Sequence, residues 1–187
     1  MSFQTWQETL ITNAGASGTA ISASTTQASI IPPSAKLLIP ANYMFVGRQI
    51  KIVAQGQISN VVTTPGTLLF QVLYGATAVF NSGVASIPLN IVAKTNVTWW
   101  LEILMECRTI GAGTSATMLS YAQFTSESVF NAGAGTANSA FIPPSAPAAG
   151  SGFDSTASQL MDLQAKFSVA TAGTAMTLFT YKVESLN

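Results

Sequence analysis

No histidine occurs anywhere in the 187 residues, and only fourteen side chains carry charge, seven basic and seven acidic. Without imidazole, Ser-His-Asp and Cys-His nucleophile systems, histidine metal clusters and the commonest general base are all excluded. Neither an enzyme nor a cofactor is expected. The charged fraction is 7%, against roughly a quarter in an ordinary soluble domain. Hydroxyls and amides must therefore solvate the surface, or a partner must cover it. Net charge is zero, with no basic cluster, so the footprint needed to grip a phosphate backbone is missing and nucleic acid is not an expected partner. A single cysteine, Cys107, cannot close an internal disulfide. With no base to activate it, Cys107 reads as a small buried hydrophobe. No apolar run exceeds five residues, and residues 1–10 lack a basic stretch followed by an apolar one. Neither a membrane span nor a signal peptide is expected, and synthesis in a cytoplasm follows.

What is abundant is small and polar or small and apolar: 27 Ala, 22 Thr and 20 Ser. Period-2 alternation dominates the order. Along residues 97–108, Val97, Trp99, Leu101, Ile103, Met105 and Cys107 alternate with Thr98, Trp100, Glu102, Leu104, Glu106 and Arg108, the pattern of a long strand buried on one face. The same alternation marks strands at 48–58, 67–74, 116–125, 159–168 and 175–183. Two shorter ones fall at 36–39 and 77–80. In 175–183, Phe179, Tyr181 and Val183 are placed on one face, opposite Lys182 and Glu184. About eight strands separated by Gly, Ser, Asn and Pro turns give an all-β class, a sandwich or a barrel.

Two stretches, 15–29 and 131–152, carry no pattern. The reading is an extended N-terminal arm over residues 1–29, then one β-domain over 30–187 with a long loop at 131–158. The arm has too few periodic apolar residues to pack on its own domain, so Phe3, Trp6, Leu10 and Ile11 read as anchors on a neighbour. An internal echo links Ile30-Ile31-Pro32-Pro33-Ser34-Ala35 to Phe141-Ile142-Pro143-Pro144-Ser145-Ala146. Paired prolines remove two amide donors, so each copy fits a sheet edge.

Glu102 and Glu106 share a strand face, but four residues of strand separate them by about 13 Å, too far for a paired-carboxylate mechanism. Gly111-Ala112-Gly113 lies between strands and reads as a turn, not a phosphate cradle. Trp100, on the polar face in line with Leu104, is costly to expose unless something covers it. A subunit or partner contact, a partly packed surface position and a sugar-stacking platform all remain open.

Several segments resemble a group of tailed-bacteriophage virion proteins: Gly47-Arg48-Gln49-Ile50-Lys51-Ile52, Gly56-Gln57-Ile58-Ser59-Asn60, Thr64-Pro65-Gly66-Thr67-Leu68, Ala93-Lys94-Thr95-Asn96-Val97-Thr98-Trp99-Trp100-Leu101 and the final Val183-Glu184-Ser185-Leu186-Asn187. The resemblance spans residues 36–187 and implies a jelly-roll type antiparallel β-sandwich. Within that setting it implies a capsid decoration or cement protein on the outer capsid surface of the virion, made in the host bacterial cytoplasm. The implied partners are the major capsid protein and itself, as a homotrimer, with no membrane partner. The alternative is a receptor-binding or adhesive head domain of a tail fibre, and only that alternative implies glycan binding.

Overall fold

The computed structural model describes residues 7–83, 87–130, 138–143 and 149–186. Thirteen strands lie among them: β1 (Gln7–Thr12), β2 (Ile21–Ser22), β3 (Ala28–Ser29), β4 (Leu37–Ile39), β5 (Gln49–Asn60), β6 (Thr67–Tyr74), β7 (Thr77–Asn81), β8 (Ile87–Pro88), β9 (Lys94–Thr109), β10 (Thr117–Ser126), β11 (Asn138–Ile142), β12 (Gln159–Phe167) and β13 (Ala175–Leu186). All eight expected strands are present. The additional ones are β1, β2, β3, β8 and β11.

Every strand pairing is antiparallel. One sheet runs β1-β13-β5-β9-β10-β11, with β2 also on β13; the other runs β3-β12-β6-β7, with β4 on β12 and β8 on β6. The two form a sandwich around a single core. Alternation dictates which residues enter it. Trp99, Leu101, Ile103, Met105 and Cys107 of β9 have no exposed surface, and neither do Met161, Leu163, Ala165 and Phe167 of β12. At the centre, Phe124 packs on Phe70 at 5.5 Å and on Trp99 at 6.0 Å. Offset aromatic contacts of this kind stabilise beyond the area they bury.

The reading of 1–29 as an arm off the domain is corrected from Gln7 onward. β1 pairs along β13, with Gln7 opposite Leu186 and Thr12 opposite Lys182. Leu10 and Ile11, expected to anchor on a neighbour, pack half-buried against their own core. Beyond β1 the chain stays on β13, because the Gly18 amide donates to the Leu178 carbonyl and the Ala23 amide to the Thr174 carbonyl. The physical reason is the length of β13, whose second edge would otherwise be a row of unpaired backbone groups. Phe3 and Trp6 lie outside the described residues.

The 131–158 loop is corrected in the same way. Asn138–Ile142 forms an edge strand on β10, with Phe141 opposite Gln123. Phe153 bridges to Ala116 and sits edge-on to Tyr74 at 5.2 Å. Both echo segments flank edges: β3 precedes Pro32 at one sheet's margin, and β11 precedes Pro143, across a cis Ile142–Pro143 bond, at the margin of the other. Ile30, Ile31 and Ile142, just ahead of the prolines, are buried in the core.

Phe179 faces outward and is 45% exposed, not inward as the alternation implied. A bulge between Leu178 and Thr180 shifts the register against β5. The extra residue flips the parity, so Met176 and Leu178 are buried before it and Tyr181 and Val183 after it. Gly56 lies opposite, where a Cβ would overlap the Thr177 carbonyl oxygen.

Candidate functional site

The outer face of the β1–β11 sheet holds the two sequence-predicted contacts that remain available, Trp100 and Leu104. Cross-strand register sets the rows. Trp100 lies between Gln55 and Thr125, with Ser139 beyond; Glu102 lies between Val53 and Gln123, with Phe141 beyond; Leu104 lies between Lys51 and Tyr121. Trp100 is 43% exposed, Tyr121 46% and Phe141 69%, while Leu104 is half-buried.

Trp100 and Leu104 do not form one site. Four strand residues separate them by about 13 Å, and each lines its own depression. The lower one is walled by Leu104, Tyr121, Gln123 and Phe141. The upper one is an open groove around Trp100, Asn96, Thr98, Thr125 and Glu127. Alternation over 116–125 sets Tyr121 in one row with Leu119 and Gln123, opposite Met118, Ser120, Ala122 and Phe124. Phe141 is not legible in this way, because its segment carries no repeating pattern, and only pairing with β10 gives it a facing.

Charge does little to mark either depression. Among the described residues, ten of the fourteen charged side chains stand in five ion pairs: Lys36–Asp162, Lys51–Glu102, Lys94–Glu127, Arg108–Glu106 and Lys182–Glu184, all at 3.2 Å or less. The Arg48 guanidinium lies 4.1 Å from the centre of the Tyr43 ring and 4.4 Å from that of Phe45. The exposed pairs add little stability, unlike those of Asp162 and Glu184, whose carboxylates are buried; each ion pair cancels its own field, so no long-range attraction selects a charged partner.

Glu102 and Glu106 are held apart by separate cations, and Gln49 also donates to Glu106. Cys107 is buried and donates to the Thr109 carbonyl at 3.4 Å. Burial, with the Glu106 charge second, pushes its pKa up and keeps it a thiol. Glu184 accepts from Lys182, and this, with a hydrogen bond from Gln7 and the nearby Lys51 charge, outweighs desolvation to hold its carboxyl below the ordinary range.

A residue that sequence reasoning missed is Asn13, 4% exposed at the β13 bulge. Its Nδ2 donates to the Ala16 and Phe179 carbonyls at 2.7 Å each, its Oδ1 accepts from the Tyr181 amide at 3.2 Å, and its own amide donates to the Tyr181 carbonyl. The side chain stands in for the ladder partners that the bulge removes. No local pattern announces this, since it depends on a strand 166 residues away.

Among the described residues, no group of three or more Asp, Glu or Cys side chains is placed to hold a metal ion, and no helix is long and apolar enough to cross a membrane. No family model matches the chain, and no curated protein matches it.

Proposed function

We propose that this chain is a structural protein of a tailed-bacteriophage virion, of the jelly-roll class, which binds the outer capsid surface as a decoration or cement protein. The observation that carries the reading is the lower depression of the outer face. Leu104, Tyr121 and Phe141 offer an exposed apolar patch beside the internally neutralised Lys51–Glu102 pair. A patch of this kind, rimmed by polar groups, marks a protein contact. The function needs binding energy and no reagents, because a molecule that binds the assembled shell and not its separated subunits stabilises the shell by mass action. The resemblance of residues 36–187 to phage virion proteins supports the same reading, as does a surface of 8601 Å² carrying only fourteen charges. In this role the protein is a homotrimer, and the major capsid protein is its partner.

The test is co-sedimentation with capsids that lack the protein, using the full chain. The Tyr121→Ser/Phe141→Ser double variant should keep its far-UV spectrum and lose at least tenfold in apparent affinity. Undiminished attachment by that variant overturns the assignment of the patch. Failure of the unaltered chain to attach overturns the function. Light scattering on the free protein should return three times the 19.4 kDa chain mass, and a monomer mass at micromolar concentration removes the trimer.

A further inference from the structure

We infer that the upper groove, at Trp100, is a binding site for a neutral glycan, separate from the attachment patch. Its centre is an exposed indole on a rigid strand. Trp100 is held on β9 between β5 and β10, and the buried Trp99 beside it fixes the backbone through indole bonds to the Gln57 and Thr177 carbonyls at 3.0 and 3.3 Å. A flat aromatic face with polar groups around it matches a pyranose ring, which offers an apolar C–H face and a rim of hydroxyls.

Sugar hydroxyls require donors and acceptors together, and the groove supplies both. Ser59 donates to Asn96 Oδ1 at 3.2 Å, which fixes the Asn96 amide and leaves Nδ2 as a donor. Glu127 uses Oε2 to accept from Lys94 at 3.2 Å and keeps a second carboxylate oxygen as an acceptor. Thr98, in the groove wall, adds an exposed hydroxyl that can donate and accept. Thr125 stands opposite Trp100 and Thr98 two residues along the same face, with Asn96 and Glu127 farther along the groove.

The same groove selects against charged occupants. Glu127 and Lys94 cancel each other at its end, so neither an anionic nor a cationic polymer gains from entering. From Asn96 to Trp100 the groove floor runs about 13 Å along the strand, a span of about two to three sugar rings. The geometry therefore fits a short run of neutral hexoses.

The test titrates the full chain with maltohexaose, cellohexaose and chitohexaose, read by saturation-transfer NMR and by tryptophan emission. At least one should bind saturably in the millimolar range or tighter. Trp100→Ala should weaken it at least tenfold, Trp100→Phe several-fold less than that, and Thr98→Val by a few-fold. Retention of the melting temperature by Trp100→Phe and Thr98→Val keeps the comparison valid even if the alanine variant is perturbed. The site is overturned if none of the three sugars binds saturably, or if binding survives Trp100→Ala. Capsid attachment by Trp100→Ala should be unchanged, whereas the Tyr121→Ser/Phe141→Ser variant should bind sugar normally. The glycan site and the attachment patch thus fail separately.

Discussion

Trp99 and Trp100 are neighbours on β9, yet one has no exposed surface and the other is 43% exposed. The pleat alone separates them. Trp99 packs on Phe70 and Phe124 between the sheets and satisfies its indole N–H on two carbonyls. Trp100 stands among glutamine, threonine and serine on the far side of the same strand. The inner face thus carries the fold and the outer face carries whatever the fold is for, so substitutions on the two faces should sort into stability and binding.

The sharpest way to break that division is Trp99→Ala, which should cost about 3–5 kcal/mol through lost burial and a cavity. Leu101→Ala, on the same face, falls in a similar range of about 2–5 kcal/mol. Urea denaturation reads both, and an unchanged midpoint for either would reverse the facing of β9. Next comes Asn13→Ala, which leaves the bulge groups of β13 without their partners and should cost about 1–3 kcal/mol. Hydrogen exchange at the Tyr181 amide should accelerate in parallel.

Glu184 tests whether any charge on the outer face contributes to the fold. Its carboxyl titrates lower in the folded chain than in the unfolded one, so its contribution is fully present above the ordinary Glu value of about 4.3 and is lost as pH falls through the folded value. Glu184→Gln should therefore lower stability by about 1–2 kcal/mol at pH 7, with the difference closing in acid. A gap that stayed constant from pH 7 to pH 3 would show that shape, not charge, matters there.

Tyr181→Phe moves in the opposite direction. The Tyr181 hydroxyl is buried in the core with no hydrogen-bond partner among the described residues, and burial pushes its pKa well above the ordinary range. Removing the hydroxyl should stabilise the fold by about 1 kcal/mol, visible as a rise in melting temperature. Trp100→Ala should change stability least, by about 0.5 kcal/mol or less, as surface positions do.

Sequence order exposed the fold wherever one face is buried and one is wet. Alternation alone places β6 at Thr67–Tyr74 and gives the inner row of β9 residue by residue. The pattern failed where geometry depends on a distant partner. β1 has no alternation of its own, because its place is set by the free edge of β13, and Phe179 was assigned the wrong face because a bulge changes parity without changing composition. A trace of that bulge is present in the order, since the apolar positions Met176 and Leu178 fall out of phase with Tyr181 and Val183. Of the candidate site, Trp100 and Leu104 were legible by parity. Their division into two depressions was not, because Phe141 belongs to an edge strand that only long-range pairing defines.

The register of β1 on β13 has a mechanical consequence. Gln7 sits opposite Leu186 at one end of an antiparallel pair, so tension applied through these two positions peels the strands apart one hydrogen-bonded pair at a time instead of shearing the whole ladder at once. Held at these two positions, the molecule would yield at low force. Held across the outer face of β9 and β10, the same load would pass into strands paired on both sides, where many bonds must break together. An optical-trap measurement with handles at 7 and 186, compared with handles on β9 and β10, would read that anisotropy directly.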